Sequence, residues 1–269
     1  MTEIYPNSTL ERLQTECRTL EKRDRSSASM IPTTELLSLV PERSKVDRLV
    51  KLHMDTFGRT HHILHLPSFW KDYEVFWDKP QDVSPGFVPL LLMVLATVHC
   101  TSNEPLTYSA DGSTPRNQAV TWIQACDTWL ARQSQKHRFI AMYQIMCLRI
   151  LAASANCMKT KTTYIGVEAV LTYFKSAGMH RDPSVLEGKC SVFDGEMRRR
   201  LWFTVQEMEL QASIDRGTSS ALGGFINDCS APLNINDEDL TIDCVKIPNG
   251  VAVEVYTDAS VSKRLLQLP

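Results

Sequence analysis

The sequence predicts an all-α protein, a helical array or bundle, on three observations. Apolar residues recur at three- and four-residue spacing through most of the long segments. Serine, proline and glycine stand where such segments would start and stop. No stretch of convincing length alternates apolar and polar residues; the best strand candidate is residues 251–256, Val-Ala-Val-Glu-Val-Tyr.

The first helix begins at Ser8, which has capping-box spacing with Glu11. Leu10, Leu13, Cys17 and Leu20 then repeat at 3-4-3 spacing, the seam of a short coiled coil. Two heptads are too few to hold a dimer alone, which favours a helix packed on its own domain. Residues 22–33 are polar and contain Pro32, so they form a linker. From Ser44, capped with Asp47, a helix presents Val46, Leu49, Val50, His53 and Phe57 on one face, and Gly58 stops it. Pro67 keeps Leu66 extended, and Ser68 caps an aromatic helix carrying Phe69, Trp70, Tyr73, Phe76 and Trp77.

Residues 87–100 form a buried helix with Pro89 tolerated in its first turn. A turn-rich loop spans 101–115. Helices follow at about 116–134, 138–157 and 161–178, the last closed by Gly178 in a left-handed cap. A helix over 195–214 buries Met197, Leu201, Val205, Met208 and Ala212, and pairs Glu196 with Arg200 at i,i+4 on its solvent side. These signals divide the chain into an N-terminal helix and linker (1–33), one helical domain (34–245) and a C-terminal tail (246–269).

The 43% hydrophobic and 22% charged content is that of a globular protein. A formal net charge of −2 gives no general attraction to phosphate, which argues against autonomous DNA binding. The longest apolar run, residues 87–98, falls short of the ~20 residues that a bilayer demands. The N-terminus lacks a cationic start followed by an apolar stretch, so no secretory signal is expected there and the thiols are expected to stay reduced. The cysteines lie at 17, 100, 126, 147, 157, 190, 229 and 244, and none forms the Cys-x-x-Cys pair that a thiolate zinc site draws upon.

Catalytic patterns fail on inspection. His180-Arg181-Asp182 has a kinase-like look, but position 187 is Glu where a metal-holding Asn is needed, and no Gly-rich phosphate loop accompanies it. Its expected work is structural, with Arg181 and Asp182 bonding helix-end carbonyls and amides and Pro183 fixing the exit. His53, His61, His62 and His65 crowd together, yet an extended segment sets His61 and His65 about 13 Å apart, too far to share an ion. No metal site is expected. Arg198-Arg199-Arg200 spread around one helix turn and are expected to pair within the molecule, with Asp182 or Asp215. No nucleophile elbow or dinucleotide fingerprint occurs, and Gly223-Gly224 is the sole adjacent glycine pair. An enzyme is not expected.

Four segments carry a resemblance. They are residues 63–69 (Ile-Leu-His-Leu-Pro-Ser-Phe), 177–183 (Ala-Gly-Met-His-Arg-Asp-Pro), 196–203 (Glu-Met-Arg-Arg-Arg-Leu-Trp-Phe) and 232–240 (Pro-Leu-Asn-Ile-Asn-Asp-Glu-Asp-Leu). In this order and spacing, roughly residues 44–245 resemble the middle homology region of fungal binuclear-zinc-cluster transcription factors. Tyr164 near Gly166 replaces a tryptophan of the family pattern, and Phe203 is a milder departure.

The resemblance implies an all-α regulatory domain in the nucleus, or the cytoplasm, that is not an enzyme. It implies structural roles for His65, Pro67, Phe69, His180, Arg181, Asp182, Arg199, Arg200 and Asp215, with Arg199 and Arg200 bracing the core. Family members hold zinc in an N-terminal cluster; this chain has no residues for one and no other cofactor is expected. It would work through other transcription regulators or a related full-length factor, as a homodimer or heterodimer, or by sensing a small molecule. Trp70, Phe76, Trp77, Trp122, Trp129 and Trp202 are the candidate lining of an effector pocket. The first helix would then be what remains of a dimerising segment, and the tail would be truncated. The rival is the same scaffold recruited as an enzyme or small-molecule carrier in fungal specialised metabolism.

Overall fold

The computed structural model describes residues 15–16, 33–102, 108–109, 112–134, 138–158, 160–186, 190–224, 226–252 and 254–259. The helix expected from Ser8 and the linker after it lie outside the described residues, apart from the helical pair Thr15-Glu16 and the linker's final residue, Thr33.

Nine helices are described: α1 (Thr33–Leu37), α2 (Arg43–Asp55), α3 (Phe57–Thr60), α4 (Leu66–Asp78), α5 (Phe87–Val98), α6 (Thr114–Ala131), α7 (Ile140–Ala155), α8 (Thr160–Ser176) and α9 (Val192–Arg216). A two-residue hairpin, β1 (Tyr108–Ser109) and β2 (Gly112–Ser113), precedes α6 with Tyr108 opposite Ser113. The molecule is all-α.

Helix α5 is apolar all round and every one of its residues is buried, as a helix enclosed by others must be. It packs on α2, α6 and α7, while α7 turns its other side to α8 and α9. Pro89 sits in its first turn, where the missing N–H breaks no helical bond. Gly178 takes φ +68 after α8, and the Met179 N–H closes back on the Phe174 carbonyl in a Schellman cap.

Several local expectations are corrected. Helix α2 is entered at Glu42 and the Ser44 hydroxyl bonds its carboxylate; Asp47 instead accepts from the Tyr73 hydroxyl. The helix ends at Thr56 rather than Gly58, because Thr56 leaves helical geometry and its hydroxyl caps the Leu52 carbonyl. Leu66 opens α4 rather than lying extended, since Pro67 has no N–H to lose there and the His65 ring accepts the Ser68 N–H.

No strand forms over the described residues of 251–256. The Asn234 side-chain amide bonds the Ala252 and Val255 carbonyls at 2.8 and 3.0 Å, which holds that stretch irregular. Across the boundary expected at 245/246, Thr257 is buried and its hydroxyl donates to Asn234 Oδ1 at 2.6 Å.

His53, on the buried face of α2, donates through Nδ1 to the Thr97 hydroxyl at 2.7 Å. The tautomer follows because Thr97 itself donates to the Val94 carbonyl. Burial, with a smaller push from His61, lowers the His53 pKa from 6.5 to about 4. The unfolded chain therefore takes up a proton near pH 6.5 that the folded protein refuses until about pH 4. Stability should fall by about 2 kcal/mol from this residue between pH 7 and pH 5. His61 and His65 are shifted in the same direction and add to the slope. Thermal unfolding across that range is expected to show the loss, with His53→Gln removing its largest single share.

Candidate binding cavity beside a buried arginine centre

The second and third turns of α9 project Glu196, Arg199 and Arg200 toward one side, because residues three and four apart share a helix face. Arg200 is 1% exposed, and so is Glu196. Their i,i+4 pair forms at 3.2 Å, but inside the protein and not on the solvent side as expected. The cause is the chain that returns over α9 after residue 226. Asp237, in a 3-10 turn of that return, accepts from Arg200 Nη1 at 2.6 Å.

The same carboxylate lies 2.8 Å from His62 Nε2 and accepts the Leu66 N–H at 2.8 Å. His62 Nδ1 faces the Asp258 carbonyl at 2.9 Å. Burial alone would raise the Asp237 carboxyl; the His62 hydrogen bond and the charges of His62 and Arg200 outweigh it and hold the group below the usual carboxylate range. Glu196 accepts the Leu233 N–H at 3.0 Å, yet burial still pushes its carboxyl up.

A second pair stands beside the first. Arg199 makes a two-pronged bond to Asp182 at 2.9 and 3.1 Å. Asp182 also accepts the backbone amides of Ser184 and Ser230, both at 2.9 Å. Against the cost of burial, these bonds keep its carboxyl well below the ordinary range. Arg181 pairs instead with Asp228 at the surface, and the carbonyls ending α8, Ala177 and Gly178, are taken by Arg198 at 3.1 Å each. Arg198 thus does the work expected of Arg181. Asp215 accepts from Gln211 on an exposed turn.

A cavity of about 430 Å³ opens next to this centre, where the starts of α4, α5, α7 and α9 draw apart. Phe69, Phe87, Phe139 and Phe193 wall it with Leu64, Leu90 and Ile140; Ile242 reaches it from the returning chain, and Lys71, Asp72 and Ser84 stand at its polar edge. Gly86, at φ +88, enters α5 where an added Cβ would stand 2.8 Å from the Phe139 ring, so this wall depends on glycine.

His65 belongs to both regions. Its Nδ1 lies 2.7 Å from Ser68 Oγ and its Nε2 2.9 Å from the Asp237 carbonyl, and its ring meets Phe193 edge-on at 5.0 Å. Burial pushes its pKa down, so the ring is neutral.

None of the six expected pocket aromatics lines this cavity. Trp122 and Trp202 are core, their Nε1 atoms donating to the Leu39 carbonyl and to Asn227 Oδ1. Trp129 stands behind Phe139, Phe76 packs on Phe87, Trp77 lies under the Arg43 guanidinium and Trp70 is 42% exposed. Trp122 and Trp202 fill space between helices, whereas the cavity lies where four helix starts meet.

Of the expected structural residues, His65, Phe69, Arg199, Arg200 and Asp182 are drawn into or beside this region. Pro67 fixes the first turn of α4, and His180 lies 6.2 Å from the Trp202 ring. His62, Asp237, Phe139, Phe193 and Gln144 were not anticipated as site residues. Gln144 had one signal in the sequence: a polar residue inside the apolar run 140–148.

Cys126 and Cys147 are buried, and burial raises their pKa values; Cys100 donates to the Ala155 carbonyl. Among the described residues, no three His, Cys, Asp or Glu side chains converge as metal ligands.

Residues 51–264 match the fungal specific transcription factor domain. The chain belongs to that family. Its relatives include the transcription factor opdR of Penicillium oxalicum, 32% identical over 252 residues that cover 91% of this chain and 31% of the relative. The transcription factor asR3 of Sarocladium schorii is 32% identical over 76% of this chain and 24% of its own length. The equisetin cluster transcription factor eqxF of Fusarium heterosporum is 29% identical over 80% of this chain and 32% of its own. The chain therefore spans between a quarter and a third of the length of these relatives. No solved structure matches it.

Within this fungal transcription factor domain, the Arg200–Asp237 pair is expected to be far more consequential than the surface pair Arg181–Asp228. Asp237→Ala leaves a buried guanidinium short of its counter-charge, a loss of about 3–5 kcal/mol and a drop in melting temperature of roughly 10 °C. Arg181→Ala, at a pair 50% and 40% exposed, should cost under about 1 kcal/mol. Calorimetric melting of the two variants checks the contrast.

Proposed function

We propose that this chain is the regulatory domain of a fungal transcription regulator, acting in the nucleus through protein partners or by receiving a small molecule. DNA contact is supplied by residues other than those described here, in a related full-length factor or another regulator paired with it. Family membership supports the regulatory role. The observation that carries the rest is that the arginine cluster is spent internally: Arg198 on helix-end carbonyls, Arg199 on Asp182, Arg200 on Glu196 and Asp237. A helix face so engaged has little to offer a phosphate backbone, and the net charge of −2 does not attract one.

The reading as a non-enzyme rests on the cavity wall. His65 has both ring nitrogens engaged, and the other titratable groups there, Lys71 and Asp72, sit at the edge with Asp72 bonded by Ser84. A general base needs a free nitrogen or oxygen within reach of a substrate proton.

Two measurements test this function. The purified chain should give no sequence-specific shift with promoter DNA at micromolar concentration; a tight, specific shift would end the proposal that it does not read DNA itself. Fused between a foreign DNA-binding module and an activation segment, the chain should change reporter output at least several-fold relative to a fusion without it. Unchanged output would remove the regulatory role.

A further inference from the structure

Gln144 lines the cavity and is 7% exposed. Its Nε2 donates to the Ile63 carbonyl at 2.9 Å. That bond fixes the side-chain amide, because only its NH₂ end can face a carbonyl. Among the described residues no donor reaches Oε1, which leaves an acceptor in a wall built mainly of phenyl rings and aliphatic groups. An oxygen in this position is available to a donor carried by a bound molecule.

Its neighbours narrow the chemistry. Ser68 donates its hydroxyl proton to His65 Nδ1, since that nitrogen accepts the Ser68 N–H as well. The cavity therefore meets lone pairs of Ser68 Oγ, a second acceptor. Helix α7 starts at Ile140 with no side-chain cap, so first-turn amides beside the cavity can donate. A hydroxyl satisfies both demands, giving its proton to Gln144 and accepting from the helix start. A carboxylate cannot donate to either acceptor.

We propose that the cavity receives a neutral, largely apolar molecule bearing a hydroxyl group, held by Gln144 Oε1. At about 430 Å³ it falls in the lower part of the range of small-molecule sites, ~300–1,000 Å³. This rests on the ligand-receiving branch of the proposed function and names its ligand class. Occupancy would also reach the returning chain, because Ile242 is 54% exposed at the cavity edge and gains cover from a bound molecule.

Biphenyl-4-ol, biphenyl and biphenyl-4-carboxylate are suitable probes for calorimetric titration of the full chain. The alcohol should bind about three- to tenfold more tightly than biphenyl, the worth of one hydrogen bond, and should slow deuterium exchange around residue 242. Gln144→Leu should erase the preference for the alcohol while retaining biphenyl. Ala141→Phe, which puts a ring into the cavity from a half-buried position, should remove both, with the melting transition recording that the variant is folded. Tighter binding of the carboxylate, no binding of either neutral probe at their solubility limit, or unchanged binding by Ala141→Phe would each overturn the assignment. Reporter modulation that persists without probe binding defeats this ligand class alone; probe binding without modulation defeats the regulatory role alone.

Discussion

The structure turns on a guanidinium with almost no access to water. Arg200 is 1% exposed, and a charge in that position demands an opposite charge and hydrogen bonds at close range. Glu196 on its own helix provides one oxygen at 3.2 Å, and Asp237 provides another at 2.6 Å from a short 3-10 turn in the returning chain. Pairing with Asp237 brings the chain back across α9. The same carboxylate takes the Leu66 N–H, so the entry to α4 is fixed by the same residue. The returning segment makes no strand ladder; its order comes from side chains, with Asn234 bonding Ala252 and Val255 and Asp258 accepting the Asp237 N–H. Pairs of this kind add little net stability over an apolar substitute, but they penalise every arrangement that separates them. Here the penalised arrangement is one in which the return lifts away.

The helices were legible from the sequence because each signal is local. The stripe Val46, Leu49, Val50, His53 is the buried face of α2, and Gly178 has the left-handed φ that its place after α8 implied. Residues 87–98 are helical and buried throughout. The Glu196–Arg200 pair shows where local reading stops. Spacing of four residues predicts that the two meet, and they do, but it says nothing about which side of the helix is covered. That depends on Asp237, which is 37 positions from Arg200 and comes into play only when the chain has folded back. Residues 251–256 fail as a strand for a related reason. Alternating valines suit a sheet edge, yet Val251 and Val255 remain substantially exposed and a side-chain amide holds their neighbours.

The candidate site was less legible still. Tryptophan is a sound marker of core, and Trp122 and Trp202 are among the largest fully buried side chains. A cavity, however, is a place that side chains fail to fill, so composition cannot point to it. It arises here because four helices begin near one another, and phenylalanines from their first turns, together with Phe139 just before α7, line a space that they do not fill. Gln144 was visible as a polar residue in an apolar run; its meaning needed the Ile63 carbonyl, 81 positions away in the chain.

The cavity and the ionic centre share a wall, and the character of that wall constrains both. His65 stacks its edge on Phe193 inside the cavity while its Nε2 is tied to the Asp237 carbonyl. Both nitrogens are used, so the ring cannot accept or release a proton without breaking one of those bonds. A ring held this way serves as a spacer between an apolar chamber and a charged one. Pressure on the Phe193 side can reach Asp237 through His65, and movement of His65 strains a bond on which the returning chain depends. A molecule that fits without displacing the ring would stabilise the closed arrangement; one that displaces it would oppose the Arg200–Asp237 pairing. The direction of any response therefore follows from the shape of the occupant beside His65, because that ring touches Phe193 on one side and the Asp237 carbonyl on the other.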